Sequence, residues 1–405
     1  MAINHPSIRD FVNRMVISGE YIITNIRFSV SRSGNAYMTA TLTDATGSIG
    51  MVCWDVDGSV NPSMNGGIVA VCGTVGTYRE EFQLNVEQIK VSALDSLDAE
   101  DMAAIIPTAP INLNAYNQYV YNIVQSMANP GIRAICNELL SRNWDRFSSI
   151  PAGMNIHHAF RGGLLMHTAD MVSLAETLLA ENHNAVNRDL LLGGVLLHDI
   201  GKLREFVTSP VTGLVTGYSE EGNLLGHSVL GAMMIAEAGA RLNVSPKLTL
   251  LLEHMVLSHH GNPASGAAKE PMTIEAEILH DLDKLDSRRQ SCVEKLAVVS
   301  PGSFTVQVPA LGRRLYRHGI VETNAPEQQD EDWPEEEECW EDVCADDGEE
   351  DDWGQPFDCE DEDEFDFDQE SAPFCGSPYP AEYRSFPGVF NGEAFSPGFP
   401  EDPAF

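Results

Sequence analysis

Histidines and aspartates interrupt five apolar, helix-like stretches of this chain: HHAFRGGLLMHT at 157–168, LLHDIGK at 196–202, GHSVLG at 226–231, LSHHG at 257–261 and LHDLDKLD at 279–286. Such groups are costly to bury without partners. A shared metal centre removes that cost, because imidazole and carboxylate are ordinary metal ligands. His198 and Asp199 close a very apolar helix, and His167 follows Gly162-Gly163 and an apolar run on the preceding one. With Asp283 they form a chemically sufficient first site. His227, His259 and His260 either complete a second site or bind the phosphate and orient water around a single ion.

Other polar residues near these motifs have two readings each. Lys202 neutralises a phosphate oxygen or steadies the Asp199 carboxylate, and His157, His158 and Arg161 suit a substrate entrance. Asp286, three residues after Asp283 on the same helical side, is a ribose contact or a salt-bridge partner. His254 has no motif of its own and reads as structural. The chain has no GxSxG elbow and no GxxxxGK[ST] loop, and its cysteines are not placed beside the histidine motifs. A metal-activated water is therefore the economical nucleophile, and a phosphate the natural electrophile.

The elements that must position these residues fall into a multidomain α+β plan. Residues 12–95 read as a small closed β-barrel or sandwich of five short strands separated by SRSGN, DATG and NPSMNGG turns. Residues 96–112 read as a linker, 113–300 as an all-α domain, 301–320 as a closing segment and 321–405 as a disordered acidic tail. Expected helices cover 164–182, 188–199, 225–241, 246–258 and 272–298. The net charge of −37 is unevenly shared: residues 321–405 hold 30 of the 61 acidic groups and one base, Arg384, against 31 acidic and 23 basic groups before them. The eight cysteines show no disulfide framework or zinc-ribbon spacing, and no stretch reads as a signal core or membrane span, so a cytoplasmic protein is expected. The tail reads as a solubility element, a competitor for the groove that takes an anionic substrate, or the ligand of a basic partner.

His167, His198-Asp199 and Asp283 resemble the HxnHDxnD signature of the HD-domain metal phosphohydrolases, and His227, His259 and His260 resemble the extra ligands of their binuclear branch. The order of a barrel, HHxFxGGLLxHT, LLHDIGK, LSHHG and a closing FT…ALGRRLY over 12–319 is similar to YhaM-type 3′→5′ exoribonucleases. That resemblance implies an OB-fold ahead of the HD domain, with these seven residues as ligands for one or two divalent ions. Manganese is preferred, with iron, cobalt or magnesium as alternatives. It also implies 3′-end hydrolysis of single-stranded RNA, or of single-stranded DNA, to nucleoside 5′-monophosphates, and a homo-oligomer. Met166 stands where the family usually has Glu, and Ser287-Arg288 where it has Ala-Lys; neither change removes a ligand. In the barrel, Phe28, Tyr37, Trp54, Tyr78 and Phe82 are candidates for stacking on unpaired bases, and Arg27, Arg32, Arg79 and Lys90 for phosphate contacts. The alternative functions are a phosphohydrolase acting on a small or cyclic nucleotide and an inactive RNA-binding regulator.

Overall fold

In a computed structural model, the structure describes residues 5–54, 61–78, 81–93, 97–154, 157–181 and 185–320. Arg79 and the acidic tail lie outside them. Strands β1 (Val16–Val30), β2 (Ala36–Asp44), β3 (Gly47–Cys53), β4 (Gly67–Tyr78) and β5 (Glu81–Val91) close into a barrel in the order β1-β2-β3-β5-β4. All its pairings are antiparallel except β3 with β5. Alternating residues such as Ile17, Tyr21, Ile23, Leu42, Met51 and Leu84 fill its interior. The tight β2–β3 turn is built on buried Asp44, whose Oδ1 accepts hydrogen bonds from the Thr46 (2.7 Å) and Gly47 (2.9 Å) amides.

The stretch read as a linker carries a short helix of its own. Asp98 forms a capping box that starts α1 (Ala99–Ile105). Ile105 and Ile106 then bury against Ile22 and Ile68 of the barrel, an apolar gain that polar composition alone conceals. Helices α2 (Leu113–Ser126), α3 (Pro130–Phe147), α4 (Gly163–Glu181), α5 (Arg188–Leu197), α6 (Lys202–Glu205), α7 (Glu220–Arg241), α8 (Pro246–Ser258) and α9 (Ile274–Ala297) follow. Between α6 and α7 lies a hairpin of β6 (Phe206–Thr208) and β7 (Val215–Tyr218). It reaches the barrel: Thr212 Oγ1 donates to the Gly66 carbonyl and Asn65 Nδ2 to the Thr216 carbonyl, both at 3.0 Å. Gly66, at φ +81°, is held close, since a Cβ there would lie 2.3 Å from Thr216 Cγ2.

Helix α5 is the centre of the helical core. Its residues Leu190–Leu197 are all buried, and the helix packs on α3, α4, α8 and α9. Gly193 and Gly194 admit Ile132 and Met255 to within 2.7 and 2.3 Å of where a Cβ would stand. The residues following α5 consequently emerge in the middle of the domain. No helix among the described residues is long and apolar enough to cross a membrane.

Near the C-terminal end of α9, Glu294 is buried; Gln290 Nε2 donates to its Oε1 at 2.7 Å, and its Oε2 has no hydrogen-bond partner. Burial pushes its carboxyl up to about 7. Between the ordinary glutamate range and pH 7 the unfolded chain ionises while the folded chain keeps the proton, so stability falls as pH rises through this window. Glu294→Gln is expected to raise stability at pH 8 by on the order of 2–3 kcal/mol and to leave it unchanged near pH 4.5. Denaturation at the two pH values checks this, and an equal effect at both would refute it.

Candidate metal centre

Each ligand is delivered by a close approach of elements. The C-terminal end of α5 presents His198 and Asp199. Gly163 lets the preceding loop rest on the start of α4, where a Cβ would lie 2.0 Å from the His158 carbonyl oxygen; His167 stands one turn further on. At Gly201 a Cβ would lie 1.9 Å from the His227 carbonyl oxygen, so α7 crosses α6 at backbone contact and brings His227 in. Within α7, Gly226 breaks the helix at φ 72°, ψ 161°. His259 caps α8, and Gly261 at φ +85° turns the chain just after His260. Helix α9 supplies Asp283.

The hydrogen-bond network assigns the imidazole tautomers. His198 Nδ1 donates to the Val195 carbonyl at 2.8 Å and His259 Nδ1 to the Val256 carbonyl at 2.6 Å. His167 Nδ1 lies 2.7 Å from Asp286 Oδ2, and His227 Nδ1 lies 3.1 Å from Glu205 Oε1, which also accepts the His227 amide. All four Nε2 atoms are thereby left as lone-pair donors, and they converge. His167 Nε2 lies 3.2 Å from His198 Nε2 and 3.4 Å from Asp283 Oδ1. His260 Nε2 lies 3.0 Å from His227 Nε2. His259 Nε2 is buried without any hydrogen-bond partner.

Asp199 divides between the two groups. Its Oδ2 lies 3.2 Å from His198 Nε2 and 3.8 Å from His167 Nε2, whereas its Oδ1 lies 3.5 Å from His227 Nε2 and 4.0 Å from His259 Nε2. Ligand atoms of His167, His198 and Asp199 fall within 4.8 Å of one another, as do those of His227, His259 and His260. Buried lone pairs facing lone pairs, with one orphaned nitrogen, fit divalent cations at two adjacent positions.

The electrostatics agree with that fit. Burial would raise the Asp199 carboxyl, but Lys202, His198 and His227 hold it well below the carboxylate range. Asp283 is likewise held down, its burial outweighed by His167 and His198. Burial would lower His167, yet hydrogen bonds to Asp283 and Asp286 push it up to about 10; a cation would compete for that same lone pair. Burial and neighbouring imidazoles lower His260 to about 4 and His259 well below the ordinary histidine value. Lys202 Nζ donates to Asp199 Oδ2 at 2.7 Å, a contact that suits the steadying one of its two readings.

His158, expected at the substrate entrance, lies elsewhere, and Asp286 takes the salt-bridge side of its two readings. His158 and Asp286 are fully buried, and His158 Nε2 lies 2.9 Å from Asp286 Oδ2, the same oxygen that His167 Nδ1 faces. Arg289 donates to Asp286 Oδ1 at 2.8 Å and also contacts Asp170. Asp286 is therefore placed to orient the His167 ring, with its carboxylate buried away from solvent. The helix turns it toward α4, and the sequence does not reveal that neighbour. His157 is nearer the opening: it is half-buried, its Nδ1 lacks a partner, and its ring centroid lies 5.9 Å from that of His167. Burial, with neighbouring imidazoles, lowers its imidazole to about 3. Arg161 is exposed, its backbone paired with Pro107 and Ala109. His254 Nε2 accepts the Met272 amide at 3.0 Å, a structural role.

Glu205, Arg289 and Asp170 carry no motif and escape sequence reasoning, and His280 lies inside the LHDLDKLD stretch without a role assigned to it. The spacing of Glu205 three residues after Lys202, and of Arg289 three after Asp286, is the only available signal. His280 Nδ1 donates to the His259 carbonyl at 2.8 Å and so fixes the turn after α8. On the barrel, Phe28, Trp54, Tyr78 and Phe82 are exposed, and half-buried Tyr37 packs on Trp54 with ring centroids 5.0 Å apart.

A family model described as an HD domain matches residues 164–288, and one described as an OB-fold nucleic acid binding domain matches residues 22–92. A closed barrel joined to a helical HD domain with a histidine–aspartate metal centre defines a metal-dependent hydrolase of the nuclease and phosphohydrolase class. The chain is 35% identical over 298 residues to the 3′-5′ exoribonuclease YhaM of Geobacillus sp. (strain WCH70), covering 73% of this chain and 89% of that relative. Against the proteins of the same name from Bacillus subtilis (strain 168) and Bacillus licheniformis it is 35% identical over 289 and 292 residues, covering 71% of this chain and 90% of each. The chain belongs to the YhaM family.

Proposed function

We propose that this protein removes nucleotides one at a time from the 3′ end of single-stranded RNA and releases nucleoside 5′-monophosphates. The observation that carries this reading is the 35% identity to relatives named 3′-5′ exoribonucleases, spanning about nine-tenths of their length and both domains. Seven residues, His167, His198, Asp199, His227, His259, His260 and Asp283, hold the cations. Divalent cations held there would supply an activated water and offset the charge that builds on the phosphate. Manganese suits this mixed imidazole and carboxylate set.

The remaining chemistry belongs to the chain. Lys202 keeps Asp199 ionised and places a positive charge at the partly open side of the centre, where Asp283 and His227 also reach solvent. His157 and Arg161 contact the terminal nucleotide. The exposed barrel aromatics hold upstream bases by stacking.

A manganese-supplemented time course on RNA labelled separately at either end tests this, with matched DNA and Asp199→Ala as controls. Labelled 3′ mononucleotides should appear first while 5′-labelled products shorten progressively, and the variant should be inactive. Absence of shortening by the metal-loaded protein would refute the reading and favour a small-nucleotide substrate.

A further inference from the structure

We propose that residues 301–318 of the closing segment form a second binding platform for single-stranded nucleic acid, separate from both the barrel and the metal centre. The inference rests on RNA being the substrate. From Arg288 to His318 the chain carries six Lys and Arg residues and one acidic residue, Glu294, in a protein with 61 acidic groups and 24 Lys and Arg. That one acid is buried, so the charged groups this stretch presents to solvent are basic. Among the described residues no carboxylate pairs with Arg313 or Arg314, and both are exposed.

Aromatic surface stands beside this charge. Phe304 and Tyr316 form an antiparallel bridge with ring centroids 4.9 Å apart, yet remain 56% and 48% exposed. The Arg314 guanidinium lies over the Phe304 ring at 5.0 Å, fixed by its Nε donating to the Thr305 carbonyl at 3.0 Å. Arg317 anchors the segment to the end of α9 through the Val299 carbonyl at 2.6 Å, and buried Val308 anchors it from below. Exposed rings alternating with cations suit a chain whose bases stack while its phosphates need neutralising. A protein surface would satisfy the rings but would leave Arg313 and Arg314 without reason.

Fourteen residues of α9 separate Asp283 from Ala297, where the segment attaches, or about 21 Å at the helical rise. A strand with its 3′ end at the metal centre would need on the order of six nucleotides to reach the platform at a stacked spacing of about 3.4 Å.

The test is binding of a fluorescent 20-nucleotide phosphorothioate RNA, which resists hydrolysis, to the metal-loaded full-length protein. Phe304→Ala combined with Tyr316→Ala should weaken binding at least about ten-fold. Arg313→Gln combined with Arg314→Gln, at exposed positions, should lower the slope of log affinity against log salt by about 1.4. A four-nucleotide RNA should register neither change. Unchanged affinity and slope with the 20-mer would overturn the proposal. So would a shift in sedimentation at unchanged affinity, which assigns the patch to a second copy, or tighter binding, which assigns it to the acidic tail. Failure of the 3′-shortening assay would count against the proposed activity and leave this binding result to stand by itself.

Discussion

Asp199→Asn is expected to empty both metal positions at once and to reduce hydrolysis by about 10³-fold or more. The carboxylate is the single group shared by the two ligand sets, with Oδ2 toward His198 and His167 and Oδ1 toward His227 and His259. An amide is neutral and can offer an oxygen to only one side; its NH2 group would present hydrogens to the other. It would also leave Lys202, whose Nζ donates to Oδ2 at 2.7 Å, without a negative partner in a mostly buried position. Metal catalysis supplies several kcal/mol of charge stabilisation, and each 1.36 kcal/mol is a factor of ten in rate. Metal content of the purified protein gives the decisive comparison. Asp283→Asn should lose mainly the ion beside His167 and His198, and His260→Ala mainly the ion beside His227. Asp199→Asn should approach zero. If it retained one tightly bound ion, the sharing of Asp199 between the two ligand sets would be wrong.

The clustering of these histidines and aspartates was legible because burying such groups in apolar helices has few physical justifications. The structure adds that Gly163 and Gly194 sit where backbone or side chains crowd, since a Cβ would lie 2.0 Å from the His158 carbonyl oxygen and 2.3 Å from Met255 Cε respectively. The helix limits were accessible for the same reason, since α8 runs over Pro246–Ser258 as its periodicity and its proline start suggest. Whether a polar side chain faces the site or the solvent was much less accessible. Asp286 and Asp283 share one side of α9, but only the position of α4 and the loop carrying His158 decides that Asp286 meets His167 Nδ1 instead of substrate. The β6–β7 hairpin was hidden because its strands are only three and four residues long, too short to establish a period. Its pairing and its contact with Gly66 are long-range consequences. Glu205 was missed because a glutamate ending a four-residue helix looks like a solvated charge until α7 folds back over it.

The role of Asp286 yields the second large effect. Asp286→Asn is expected to weaken divalent-metal affinity by 10–100-fold, the usual consequence of removing the carboxylate that orients a ligand histidine. Oδ2 is shared by His167 Nδ1 at 2.7 Å and His158 Nε2 at 2.9 Å, while Oδ1 accepts from Arg289 at 2.8 Å. Burial would raise its carboxyl, but hydrogen bonds to His158 and His167 and the charge of those imidazoles hold it well below its ordinary range, so the ionised form is the one the fold selects. Neutralising it removes the counter-charge of Arg289 and leaves His158 competing with His167 for one amide oxygen. Breaking a buried charged network in this way costs about 3–5 kcal/mol, so thermal stability should fall together with metal affinity. Saturating metal should restore much of kcat, because Asp286 has no access to the reacting phosphate. A ribose contact would behave differently, raising KM for RNA at unchanged metal affinity. Calorimetric manganese titration alongside KM and kcat on RNA separates these outcomes. An unaltered metal affinity with a raised KM would return Asp286 to the substrate side of the centre.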